Sequence, residues 1–184
     1  MVRLEDEASR INPNLASPAL IEALLRVVGS DPDTARRIAG SIADWVGSSA
    51  TPKTADALQA QYRAAGLNYG PPGAPLETLD ELGRVQGVTP ALYAALKPHL
   101  SLFAPAEPTP GSDPQVAAAV AQLPQLGGAA PPPAPTPQDV LTVRVVAAAA
   151  GPGNAQVTHT AVVRIGPAMP SGYAVLAWGN AVDR

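Results

Sequence analysis

NPNLASPALIEALLRVVGSDPDTARRIAGSIADW, residues 12–45, decides the fold. Ser17 precedes Pro18, a capping residue followed by a residue suited to the first helical position. Leu20, Ile21, Leu24, Leu25 and Val28 then recur at helical spacing and mark one buried stripe. Gly29 ends that helix, Asp31 caps the next, and Pro32 opens it. Ala35, Ile38, Ala39, Ile42, Trp45 and Val46 form the second apolar face, with Arg36 and Arg37 pointing outward. Two helices joined by so short a turn form a hairpin that needs further chain to cover it.

Working outward, a weaker copy follows. Thr78 and Glu81 have capping-box spacing, and Leu79, Leu82 and Val85 give a short stripe. Gly87-Val88-Thr89-Pro90 repeats the order of Gly29-Ser30-Asp31-Pro32: glycine, spacer, cap, proline. Leu92, Tyr93 and Leu96 complete the second unit. Between the units the pattern predicts a short helix over 55–65, around Leu58 and Tyr62, and an irregular stretch over 66–75. Before Asn12, residues 3–11 read as an extended lead-in with the acidic cluster Glu5-Asp6-Glu7.

Residues 104–137 change composition. They predict a proline-, alanine- and glycine-rich connection with one short helix over 115–123. From about residue 138 the pattern is β. Strands are expected over 140–149, 156–165 and 173–178, with turns at 151–154 and around 166–172. Three strands at hairpin spacing form an antiparallel meander, which needs one face covered to be stable. The chain supplies little to cover it, so a packing element is expected to lie outside this sequence. The reading is α+β: a helical domain of two helix-turn-helix units, similar to helix-hairpin-helix modules, over 1–103, the connection over 104–137, and an antiparallel β module over 138–184.

Composition narrows the function. The 184 residues include 22 prolines, 16 glycines and no cysteine, which removes disulfides and thiolate metal sites. Hydrophobic residues make up 46% but aromatics only 4%, so the cores are alanine-rich and thin. No signal peptide is legible after Met1, and no run reaches the roughly twenty apolar residues that cross a bilayer.

No constellation points to catalysis. His99 and His159 are the two histidines, and neither has a nucleophile at a productive spacing. They read as structural or solvated groups. A hydrolase with an illegible site would need a convergent nucleophile and base, which two isolated histidines do not supply. Glu5-Asp6-Glu7 reads as a solvated cluster rather than a hard-cation site, and Asp80-Glu81 as helix-start chemistry. A helix-hairpin-helix DNA-binding protein is the alternative function. Such modules offer turn amides to a phosphate, but Asp31 and Asp33 would repel it. Net charge is −3, so no basic field compensates.

Four segments, in order, carry a family resemblance. They are Asp6-Glu7-x-x-Arg10-Ile11-Asn12-x-Asn14-x-Ala16-Ser17, Ile42-Ala43-Asp44-Trp45, Tyr62-Arg63-Ala64-Ala65-Gly66-Leu67-Asn68-Tyr69-Gly70-Pro71, and Pro75-Leu76-Glu77-Thr78-Leu79-Asp80-Glu81-Leu82-x-x-Val85-x-Gly87. Together they span about residues 5–103 and resemble the type II secretion system protein K family, minor pseudopilins also called general secretion pathway protein K. The resemblance implies a structural subunit at the pseudopilus tip, with a pilin-like sheet carrying a large helical domain. It also implies the I and J minor pseudopilins as partners and the periplasmic face of the inner membrane as location. A leader, a membrane helix and the first part of the sheet belong to that pattern and are missing here, which implies a misplaced start or a fragment. Calcium is implied for the family. Here Val46-Gly47-Ser48-Ser49 and Leu58-Gln59-Ala60-Gln61 stand at its acidic positions, and only Asp44 and Asp56 remain. No cofactor and no catalytic, cofactor-binding or metal-ligand residue is therefore assigned.

Overall fold

The computed structural model describes residues 1–109, 111, 113–127, 141–150, 156–167 and 169–179. Strand β1 (Val2–Asp6) leads into a 3-10 turn (Glu7–Ser9). Helices α1 (Pro18–Val27), α2 (Pro32–Val46), α3 (Ala55–Ala64), α4 (Pro90–Leu96) and α5 (Pro114–Gln122) follow, then strands β2 (Leu141–Ala150), β3 (Gln156–Ile165) and β4 (Tyr173–Gly179).

The hairpin forms as its capping residues dictate. The Ser17 hydroxyl accepts from the Leu20 N–H at 3.2 Å, and Asp31 Oδ1 accepts from the Thr34 N–H at 3.0 Å. Each such cap is worth about 1 kcal/mol. The Thr34 amide also holds the Asp31 carboxyl below its ordinary range. Leu24, Leu25 and Ala35 are fully buried at the centre of the main core.

The second unit departs from expectation in its first leg. Leu79–Arg84 is a 3-10 turn, not an α-helix. Gly83 interrupts a stretch only six residues long, too short to offset the cost of starting an α-helix. Glu81 still reaches back to the start of this turn, its Oε1 accepting from the Thr78 N–H at 2.9 Å. The second leg is α4, capped by Thr89.

The short helix expected at 115–123 is α5, and it packs on α1. Val116, Ala119, Val120 and Leu123 join the same core as Leu24 and Ile38. Small alanines let its backbone sit close to α1. Residues 128–137 of the connection and the turn at 151–154 lie outside the described residues.

The sheet has four antiparallel strands in the order β1-β2-β3-β4. The lead-in is therefore a sheet strand, with Leu4 opposite Val145 and Asp6 opposite Val143. Its partner lies some 140 residues downstream, beyond the reach of any local pattern. Leu141 to Ala149 pair with Ile165 to Val157, and an irregularity between Val162 and Val163 shifts the β3–β4 register.

Two asparagines tie the helical body together. Asn12 Nδ2 donates to the Leu102 and Ala104 carbonyls at 3.0 and 2.9 Å. Asn14 exchanges both its amide groups with Leu76, at 3.0 and 2.7 Å. An isolated parallel bridge joins Ile11 to Leu100. Neither asparagine's role is legible in the sequence, because their partners are backbone groups distant in the chain.

Candidate interaction surface

Strand alternation sorts the sheet into two unlike faces. One face carries Arg3, Glu5, Arg144, Thr160 and Val162. Thr142, Arg144, Thr160 and Val162 are buried on this side, and the turn at Glu7–Ser9 packs on β2. Glu7 is fully buried and accepts from Arg144 Nε at 2.5 Å and from Arg10 at 3.4 Å. Arg10 also pairs with Glu5, which pairs with Arg3 at 3.0 Å. The acidic cluster of the lead-in is thus matched by cations, with Asp6 capping the turn through the Ala8 N–H at 2.9 Å. It is a joint between sheet and helical body, not a solvated cluster.

The other face is apolar and open. Val2, Leu4, Leu141, Ile165, Tyr173 and Val175 share it by register, and each is exposed by about half or more. Trp178, also on it, is 71% exposed. His159 stacks on Trp178, with ring centroids 5.9 Å apart and planes tilted by 25°. A contiguous patch of this kind marks a surface that binds something. The strand pattern in the sequence already implies an uncovered sheet. It does not reveal that β1 widens the open face by adding Val2 and Leu4.

The remaining candidate groups have structural partners. His99 Nδ1 lies 2.7 Å from Asp113 Oδ2, and the other carboxylate oxygen of Asp113 accepts from the Gln115 and Val116 N–H groups at the start of α5. This pair fastens α5 to the second unit. Asp80 accepts from the Tyr93 hydroxyl at 2.5 Å, and Lys97 lies 3.4 Å away. Burial, helped by that hydrogen bond, pushes the Tyr93 phenol up to about 12, and the same bond with Lys97 lowers the Asp80 carboxyl.

Asp44, in the last turn of α2, is nearly buried and carries a charge that opposes the helix dipole. Lys53 Nζ lies 2.7 Å from it and 3.4 Å from Gln61 Oε1 on α3. A lysine ammonium thus neutralises Asp44 and fastens the α2–α3 loop. Lys53→Met is expected to cost about 1–2 kcal/mol, because it leaves a buried carboxylate without its counter-ion. Urea denaturation measures this, and an unchanged midpoint would remove the role. Among the described residues no group of three or more His, Asp or Glu side chains is arranged to hold a metal ion.

Behind the α2 terminus, Trp45, Tyr62 and Tyr69 form an aromatic cluster with centroids 5.9–6.4 Å apart. The Tyr62 hydroxyl accepts from the Gln86 N–H at 3.2 Å, and Tyr69 donates to the Arg84 carbonyl at 3.1 Å. Burial raises the Tyr62 phenol above its ordinary value. These contacts give a reason for the Asp-Trp helix end, for Tyr62 on α3 and for Tyr69 in the loop after it: together they anchor that loop to the hairpin. The turn between α1 and α2 presents Asp31, spent as a cap, and Asp33, whose side chain is 90% exposed. No phosphate would find a favourable field there.

The turn at Glu7–Ser9 thus packs on one face of the antiparallel sheet, and the other face is apolar and exposed. The chain belongs to the type II secretion system (T2SS) protein K family, whose model matches residues 3–105. That is a family of minor pseudopilins, structural rather than catalytic subunits of the protein secretion machinery. Among solved structures the chain is similar to one in the crystal structure of the GspK-GspI-GspJ complex from the enterotoxigenic Escherichia coli Type 2 Secretion System. Identity is 16%, the TM-score is 0.64, and the match covers 97% of this chain and 78% of that one. At that identity the likeness speaks for the shared α+β fold. A comparison with curated protein sequences found no match.

Proposed function

We propose that this chain is a structural minor pseudopilin at the tip of the type II secretion pseudopilus, supporting protein export across the outer membrane. Its partners are the I and J minor pseudopilins, and it works on the periplasmic face of the inner membrane. Among the described residues no helix is long and apolar enough to cross a membrane. The observation that carries the reading is the open apolar face around Tyr173, Val175 and Trp178. The solved complex similar to this chain contains GspI and GspJ. In this reading the helical body supplies the distal bulk, and the sheet face packs against neighbouring pseudopilins. The subunit takes no catalytic cofactor and no nucleic acid. No calcium site is proposed at Asp44, since Lys53 already neutralises it. Calcium titration is therefore expected to leave the melting temperature unchanged.

The test is capture of the I and J subunits from the same genome. The wild-type chain is expected to retain at least one. Trp178→Ser is expected to weaken retention roughly thirtyfold, the loss of about 2 kcal/mol typical of a central aromatic contact. Failure to capture either subunit, or wild-type capture by the variant, would overturn the proposal.

A further inference from the structure

The open face of the sheet contains one histidine. His159 is exposed on β3 and stacks on Trp178, its diagonal neighbour on β4, at 5.9 Å. Among the described residues its other neighbours on this face are apolar. Ala147 stands opposite on β2 with Val2 beyond it on β1, Ala149 and Val145 flank Ala147, and Val157 and Ala161 flank His159 on its own strand. Among the described residues, the charge at that end of the sheet is the Met1 amino group, which donates to the Ala148 carbonyl at 2.7 Å. Asp6 lies at the opposite end of β1 and is engaged in capping the turn after it. Among the described residues no carboxylate or second base faces the imidazole.

We infer that His159 makes coverage of the sheet face sensitive to pH, so that acid favours the uncovered state and neutral pH favours the subunit bound to a neighbouring pseudopilin. The inference rests on the reading of this face as the contact surface for an apolar surface of a partner pseudopilin.

Histidine is the side chain that gains its charge between about pH 8 and 5. In the uncovered subunit the imidazole has water on one side and the Trp178 indole face on the other. Under an apolar partner the water is gone, and a charge without a counter-ion is costly to bury. Binding therefore expels the proton, and by linkage a high proton concentration opposes binding. The affinity is expected to weaken roughly five- to tenfold between pH 8 and 5.5.

Two measurements on the whole chain test this. In the first, tryptophan emission is followed from pH 8 to 5. Quenching of Trp178 by the protonated ring is expected in the wild type and not in His159→Gln, with buried Trp45 as a constant background. In the second, affinity for the captured I or J subunit is measured at pH 8 and 5.5. The wild type is expected to weaken five- to tenfold, and His159→Gln to bind equally at both pH values. Equal wild-type affinity at both pH values, or a variant that keeps the wild-type pH dependence, overturns the inference and leaves the assembly reading intact. Absence of binding at either pH overturns both. Self-association of the chain at micromolar concentration would show that a second copy covers the face, and would also overturn it.

Discussion

Arg144→Met is expected to destabilise the protein by about 3–5 kcal/mol, the usual cost of stripping a buried charge of its partner. Glu7 is fully buried, and Arg144 Nε is its close counter-ion at 2.5 Å, with Arg10 more distant at 3.4 Å. The other carboxylate oxygen of Glu7 is buried without a hydrogen bond, so the side chain has no spare solvation to draw on. The loss is best read from the midpoint of urea unfolding. Hydrogen exchange should show it first in β1 and β2, which this pair joins to the turn at Glu7–Ser9. The double variant Glu7→Leu, Arg144→Met removes both charges, and is expected to recover most of the loss, because an apolar pair of similar size fills the joint without desolvating ions. If Arg144→Met unfolds at the wild-type midpoint, the joint is not held by this pair.

Gly47→Ala is expected to cost about 2–4 kcal/mol. Gly47 ends α2 with φ +74°, a left-handed conformation that costs a residue bearing a Cβ about 1–2 kcal/mol. A Cβ there would lie 2.7 Å from the Gly73 carbonyl oxygen. That oxygen is backbone, and the neighbouring Ala74 N–H is held by the Trp45 carbonyl at 3.2 Å. The 66–75 loop must therefore shift away from α2, adding a packing cost of about 1–2 kcal/mol. Thermal unfolding measures the total. Near-ultraviolet circular dichroism should change as well, since Trp45 and Tyr69 meet edge to face at 6.4 Å. Gly29 is also at positive φ, but a Cβ added there would meet nothing within 4 Å, so Gly29→Ala should cost only the conformational part. A Gly47→Ala variant no worse than Gly29→Ala would exclude the close approach.

The two glycines show where legibility stops. Gly29 is legible as a helix end because that reading needs only local spacing, and Gly47 stands in the same way after a helical stripe. That one of them also admits the 66–75 loop depends on a segment that meets it only in the folded chain. The same division runs through the candidate surface. The strands at 156–165 and 173–178 are legible from alternation and turn residues, and so is the shortage of anything to cover them. His159 is visible as a lone histidine within a strand. Its place on the open face, against Trp178, follows from the β3–β4 register, and an irregularity at Val162/Val163 sets that register. Glu5-Asp6-Glu7 reads as a solvated cluster because Arg144, the close counter-ion that buries with Glu7, arrives from the far end of the chain.

Local sequence was enough to establish the hairpin of residues 12–45, its caps and apolar stripes, the β character of the chain's end, and the family. Each rests on interactions within a few residues, or on the order of motifs along the chain. Folding in three dimensions made the lead-in a sheet strand, brought α5 into the main core, and gave the sheet one charged, buried face and one apolar, open face. Those outcomes depend on pairing and desolvation between residues up to about 140 positions apart, whose favourable energy exists only once the fold has brought them together.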